Sequence, residues 1–158
     1  GGIYSQVGSL IINDSTIQGN KAGTHGGGLY YESNSLDITR SSFLENESTQ
    51  SGGGIYTIGA QIAMDSSTVG DNKAGTHGGG IFSDSSNLFT INSTIANNTA
   101  DENGGGIVFN GGGYLRMGYV TIANNISGAD ASAVQKNGGG LYQTAGSLNI
   151  YNSRIAQN

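Results

Sequence analysis

The only two histidines stand in the same five-residue segment, Lys21-Ala22-Gly23-Thr24-His25 and Lys73-Ala74-Gly75-Thr76-His77. They lie 52 residues apart, twice a 26-residue spacing that recurs along the chain. If one such spacing is one structural level of ~4.8 Å, the two rings are about 10 Å apart, too far to share a metal ion. Ser51 occupies the level between them, and neither His has a carboxylate there. Duplication of a repeat explains the pair better than a catalytic or metal role. Glu45 and Asp71 also share one repeat position, so a Ca²⁺ site built from these two carboxylates and turn carbonyls is the metal alternative. Lys21, Glu47 and Lys73 alternate in sign two residues further on, which favours a solvated salt-bridge ladder and no cofactor.

Carboxylates for glycoside or polysaccharide cleavage would have to stand together on one face with a base or cation. Glu32 and Asp84 share a position but are separated by Ile58, and the basic residues fall at other corners. No catalytic residues are assigned. The better candidates are for binding. Tyr4, Tyr30, Tyr56, Phe82, Val108 and Tyr142 recur beside an aliphatic column and, on strict alternation, face outward as a stripe on which sugar rings could stack. Packing between neighbouring strands explains the same stripe without a ligand. Asp101, Glu102 and Asp130 belong to a second candidate surface, where the least repetitive segment, residues 126–137, leaves the coil beside Asn103. A column of Thr16, Ser42, Thr68, Thr94, Thr121 and Arg154 raises ice binding as a third reading. The adjoining positions Gln18, Leu44, Gly70, Ala96, Ala123 and Ala156 supply no second hydroxyl row. Asn-x-Ser/Thr sequons at Asn13, Asn46, Asn92, Asn97 and Asn125 follow from composition.

The elements that must position these residues are set by the repeat. Gly triplets at 26–28, 52–54, 78–80, 104–106 and 138–140 each precede an aliphatic residue, Leu29, Ile55, Ile81, Ile107 and Leu141, and Ile3 heads the series. One extra residue between Phe109 and Tyr114 and seven within 126–137 restore the period of 26 at the last repeat. In this register two apolar columns run two residues apart: Leu10, Leu36, Ile62, Leu88, Leu115 and Leu148, then Ile12, Ile38, Met64, Thr90, Met117 and Ile150. A third comprises Ile17, Phe43, Val69, Ile95, Ile122 and Ile155, each preceded at two residues by a small or β-branched residue, mostly Ser. Spacing of two indicates strands, and Gly triplets would cost a helix roughly 1 kcal/mol per Gly. The expectation is an all-β parallel β-helix, or solenoid, of six coils of about 26 residues with three short strands each. Right-handedness follows from the general preference of parallel crossovers, and six levels of ~4.8 Å give a rod of about 29 Å. Ile81 is placed in the core between Ile55 and Ile107. Asn20, Asn46, Asn72, Asn98, Asn125 and Asn158 fall three residues after the third column. They form a structural ladder in which each amide donates to a carbonyl of the coil below and accepts from the coil above, with Asn also tolerating the left-handed conformation.

Composition agrees with a thin, repetitive body. Of 158 residues 29 are Gly, about 18% against a usual ~7%, while Pro, Cys and Trp are absent. Without Cys there is neither a disulfide framework nor a thiolate metal site. Six Lys and Arg with a net charge of −5 leave no basic stripe for nucleic acid. No transmembrane segment is legible, since no window approaches ~20 apolar residues. The start, Gly1-Gly2-Ile3-Tyr4, lacks the regions of a signal peptide and an initiator Met, which points to a mature or excised piece.

Gly-Gly-x-Ile followed by Phe43-Leu44-Glu45-Asn46, a Phe-x-x-Asn element, resembles the tandem motifs of polymorphic outer-membrane autotransporter proteins and, more broadly, the right-handed β-helix repeats of bacterial surface proteins. The other coils carry Ile or Val in place of Phe, and a third Gly stands where the family usually has Ala. The resemblance covers the whole chain and implies an extracellular or cell-surface location. It implies a role as stalk, adhesin or filament body, with glycans or host surfaces as partners. Polysaccharide binding or cleavage is the alternative. The chain is expected to be one solenoid domain, a segment of a longer protein or a filament subunit. Its ends are expected to be continued by flanking coils or stacked on identical copies, as both cuts fall in the same turn.

Overall fold

A computed structural model describes residues 1–129 and 137–158. Among them there is no helix, and hence none long and apolar enough to cross a membrane. The strands form four parallel sheets, three of six strands that run the length of the stack and one of five. Sheet one takes Ile3–Ser5, Leu29–Glu32, Ile55–Ile58, Ile81–Asp84, Ile107–Asn110 and Leu141–Gln143. Sheet two begins with Leu10–Asn13 and ends with Ser147–Tyr151, and sheet three begins with Thr16–Gln18 and ends with Arg154–Ala156. Every pairing follows the repeat register, for example Ile55 with Ile81 and Ile81 with Ile107. The expected parallel solenoid is what the chain forms.

Each of the first five coils adds a fourth strand that the spacing did not reveal. It has two residues, from Lys21–Ala22 to Ile126–Ser127. Two residues carry only one inward side chain, here Ala22, Ser48, Ala74 and Ala100, all buried. No period-two signal can arise from a single small residue.

The series after the Gly triplets and the three further apolar columns form one continuous core in which Leu29, Leu36, Ile38, Phe43, Ile55, Met64, Ile81, Leu88, Ile95 and Ile107 are fully buried. Another inward column also lines it: Tyr31, Thr57, Ser83 and Phe109, two residues after Leu29, Ile55, Ile81 and Ile107. Its mixture of aromatics and hydroxyls concealed it in the sequence. The Tyr31 hydroxyl is accommodated by the carbonyls of Gly8 at 2.7 Å and Ser35 at 2.6 Å. The buried hydroxyls of Thr57, Ser83 and Thr90 have no hydrogen-bond partner among the described residues.

Two corners of each coil are turned by a residue in the left-handed region. One column comprises Asp14, Arg40, Ser66, Asn92, Tyr119 and Asn152, with φ between 46° and 54°. The other comprises Gly19, Glu45, Asp71, Asn97, Asn124 and Gln157. The second column immediately precedes the Asn ladder, so the left-handed residue is the neighbour of each ladder Asn and not the ladder Asn itself. After the first corner a row of serines caps the coil: the Ser41 Oγ accepts from the Ser15 N–H, and Ser67 and Ser93 repeat the bond, each at 3.1 Å.

In the Asn ladder Oδ1 accepts from the coil before, not the coil after. Asn72 Oδ1 receives both the backbone N–H of Asn46 at 2.9 Å and its Nδ2 at 3.0 Å. Asn72 Nδ2 donates onward to Asn98 Oδ1 at 2.9 Å and back to the Phe43 carbonyl at 2.9 Å. Asn46, Asn72, Asn98 and Asn125 are at most 1% exposed and fully bonded, as buried amides must be. The Gly triplet answers to this ladder. Gly52 has a φ of 69°, a Cβ on Gly53 would overlap the carbonyls of Gly79 and Lys73, and one on Gly54 would lie 3.0 Å from Asn72 Nδ2.

Candidate functional site

The aromatic stripe lies outside the main core, on sheet one, with Tyr4 opposite Tyr30, Tyr30 opposite Tyr56, and Tyr56 opposite Phe82. Strands one level apart bring equivalent rings to stacking distance: centroids are 4.8 Å apart for Tyr4 and Tyr30, 5.4 Å for Tyr30 and Tyr56, and 5.1 Å for Tyr56 and Phe82. Interplanar angles of 15°, 9° and 5° make it a parallel stack. Each such pair contributes ~0.5–1.5 kcal/mol beyond area burial. Along this run the rings pack on one another, while Tyr4 at the end of the stack stays 67% exposed. Tyr56 and Phe82 are only 8% and 9% exposed. With Val108, and with Tyr30, Ile58 and Tyr142 packed alongside, they form a second apolar cluster.

Both histidines border this cluster. The His25 ring lies 4.4 Å from that of Tyr56, and its Nδ1 accepts the Ser51 N–H at 3.3 Å, a bond that requires the unprotonated nitrogen. Burial pushes its pKa below the ordinary value. His77 packs 6.4 Å from Phe82, its Nδ1 is 3.4 Å from Asn103 Nδ2, and its Nε2 meets Glu102 at 3.4 Å. The carboxylate partner of His77 comes from the next coil, one position off the His column, which is why comparison at equal register missed it. At the other edge Glu32 accepts from the Tyr30 hydroxyl at 2.9 Å and from Gln6 at 3.0 Å. Burial, with the Glu32 carboxylate second, pushes the Tyr30 phenol up to about 12.

The remaining candidates stay apart. Glu45 and Asp71 are exposed at adjacent left-handed corners, and Glu45 accepts from Gln18 Nε2 at 3.0 Å. Among the described residues no cluster of three or more His, Cys, Asp or Glu is disposed to hold a metal ion. Lys21 reaches Glu47 at 2.7 Å, but both side chains are exposed and such pairs contribute little. Arg40 grips Asp14 with two bonds of 2.6 Å and holds that carboxyl below its usual range. Asp101 is half-buried in the turn that carries Glu102, while Asp130 lies outside the described residues.

A further surface was not legible as a column because its aromatics come from different repeat positions. On the outer face of sheet two, Phe89, Ile91 and Tyr114 are exposed, as is Tyr119 at the adjoining corner. Arg116 lies 5.5 Å over the Tyr151 ring, which Tyr119 meets edge-on at 6.0 Å.

Residues 40–58 match the repeat model of the Chlamydia polymorphic membrane protein family. That segment runs from the left-handed corner at Arg40 through Phe43-Leu44-Glu45-Asn46 and the triplet Gly52–Gly54 to the end of the following sheet-one strand. Neither a curated protein nor a solved structure matches the chain. The matched segment and the parallel solenoid built around it together fit a β-helix repeat of bacterial surface, autotransporter-like proteins.

Proposed function

We propose that the chain is a structural segment of a bacterial cell-surface solenoid, serving as the body of a stalk, adhesin or filament and carrying no catalysis of its own. The observation that supports this reading is the continuity of three six-stranded parallel sheets and the Asn ladder through the described coils, together with the surface-protein repeat at residues 40–58. A column in which each coil contacts only its neighbours extends by adding coils. The proposal includes its partners. The columns buried through the middle emerge in the sixth coil, where Leu148, Ile150 and Ile155 are 42%, 38% and 46% exposed, and these residues suit a further coil or an identical copy stacked axially. Head-to-tail stacking of copies is heterologous and unclosed, so it grows fibres.

Electron microscopy and light scattering on the 158-residue chain test the stacking: concentration-dependent rods longer than one molecule are expected, and a strict monomer at millimolar concentration overturns self-stacking. Turnover of any of a panel of anionic and neutral polysaccharides, with or without Ca²⁺, overturns the non-enzymatic reading.

A further inference from the structure

The outer face of sheet two leaves the large apolar side chains of Ile11, Phe89, Ile91 and Tyr114 exposed on one strand surface. Its middle column, read coil by coil, is Ile11, Asp37, Ala63, Phe89, Arg116 and Asn149, all exposed. Asp37 and Arg116 carry opposite charges, and among the described residues neither has an ion-pair partner. They cannot meet within one chain, because three levels of ~4.8 Å hold them about 14 Å apart. Arg116 lies 5.5 Å over the Tyr151 ring, a contact that occupies the face of the guanidinium and leaves its N–H edge open. Between the two charges, small Ala63 stands beside bulky Phe89, a hollow next to a ridge. A groove of about 290 Å³ opens here, with Ala63, Phe89, Ile91 and Arg116 in its lining.

The order of this column is complementary to itself under one operation. A two-fold axis along the strand direction, midway between the third and fourth coils, brings two copies face to face with their stacks antiparallel. It exchanges the second coil with the fifth and the third with the fourth. Asp37 of each copy then faces Arg116 of the other, and Phe89 of each enters the hollow over the other copy's Ala63. In the neighbouring column Gln61 faces Asn87, amide to amide. Asp65, opposite Ile91, lies at the corner, where it already accepts from Ser66 and Asn92. The parallel arrangement, with the axis along the stack, opposes each coil to itself. It sets Asp37 on Asp37, Arg116 on Arg116 and Phe89 on Phe89, and like charges in contact oppose association. Six levels by five residues of ~3.3 Å make a face of about 29 by 17 Å, roughly 500 Å² on each copy. That is small for a permanent interface, so the pair is reversible, with an affinity that is micromolar or weaker.

We propose that the outer face of sheet two is a self-association surface on which two copies of this chain pair antiparallel through two Asp37–Arg116 ion pairs. The contact is lateral and closed, unlike the head-to-tail stacking above, and does not depend on it. The experiment is sedimentation equilibrium of the 158-residue chain from micromolar to millimolar concentration. A monomer–dimer equilibrium weakened by salt is expected. Asp37→Arg or Arg116→Asp alone sets like charges opposite each other twice and should weaken the pair at least tenfold. Combining the two reversals in one chain should restore pairing to within about threefold of wild type. Mixing the two single variants should do the same, since every opposed pair in the mixed dimer is again of opposite sign. Both positions are exposed, so the variants should keep the wild-type melting temperature. Ala63→Phe fills the hollow and gives an independent loss of pairing should a charge reversal misfold. Axial stacking is open-ended and indifferent to these charges, so it would show as larger species common to all variants. A chain that forms no lateral dimer up to millimolar concentration, leaving the face to a flanking segment or another molecule, overturns the proposal. So does undiminished pairing of the folded single variants, or a mixture of them that fails to pair.

Discussion

At the scale of single residues, hydroxyl and imidazole groups enclosed by the solenoid set measurable contrasts. Thr90 stands in a column otherwise filled by Ile12, Ile38, Met64 and Met117, is 3% exposed, and keeps an Oγ1 with no hydrogen-bond partner among the described residues. A buried unpaired hydroxyl costs ~1–3 kcal/mol, and Val has nearly the same shape. Thr90→Val is expected to stabilise the chain by ~1 kcal/mol in denaturant unfolding, and a loss of stability would show that the hydroxyl is paired. His25 gives a pH dependence. Its pKa is lowered in the folded state, so below the ordinary value near 6.5 the unfolded chain binds more protons, and stability falls as the pH drops. Its contribution is complete above that value and is lost as the pH falls through the lower, folded one. His25→Gln removes this titration while sacrificing the contact with Tyr56. The margin of wild type over the variant in melting temperature should therefore shrink between about pH 7 and pH 5. A margin that stays constant or widens contradicts the burial of the neutral ring.

At the scale of elements, the strands of sheets one to three were legible because aliphatic residues recur at spacings of two within a repeat and 26 between repeats. The Asn ladder was legible because one residue type returns at one register. What escaped were features carried by mixed or small residues. The two-residue fourth strand shows only Ala or Ser inward, and the inward column of Tyr31, Thr57, Ser83 and Phe109 reads as noise until Cα pairing is known. The covering of the aromatic stripe was not legible for a related reason. Alternation sends Tyr56 and Phe82 outward, but nothing in one sequence shows that an outward ring will be covered by its neighbours and by histidines from the adjoining turn. The ladder itself carries a prediction. Asn72→Ala removes the acceptor of the Asn46 N–H and the donor to the Phe43 carbonyl, both at a buried corner. Such orphaned groups cost ~1–3 kcal/mol each. Chemical denaturation should show a loss of at least that size. Asn20→Ala, in the first and only partly buried rung, should cost clearly less. Equal costs would mean that the rungs do not draw their strength from burial.

At the scale of the whole molecule, the stack is a one-dimensional array, and that geometry determines how damage spreads. In a globular core every buried residue supports the same cooperative unit, whereas in a solenoid each coil contacts only the coils on either side. The same substitution should therefore have different outcomes at two levels. Ile81 is 2% exposed between Ile55 and Ile107, so Ile81→Asp buries a charge with no partner in its column and removes the interface that joins both halves. Ile150, in the sixth coil, pairs with Met117 on one side and is already 38% exposed, so an aspartate there can reach water. Thermal melting followed by circular dichroism, with amide hydrogen exchange resolved by coil, is the measurement. Ile81→Asp should abolish the single native transition or lower it severely, with protection lost on both sides of the fourth coil. Ile150→Asp should cost less than ~1–2 kcal/mol, with loss of protection confined to the sixth coil and its contacts with the fifth. If both substitutions lowered the same cooperative transition by similar amounts, the coils would be coupled over their full length, and nearest-neighbour stacking would not describe the stability of this chain.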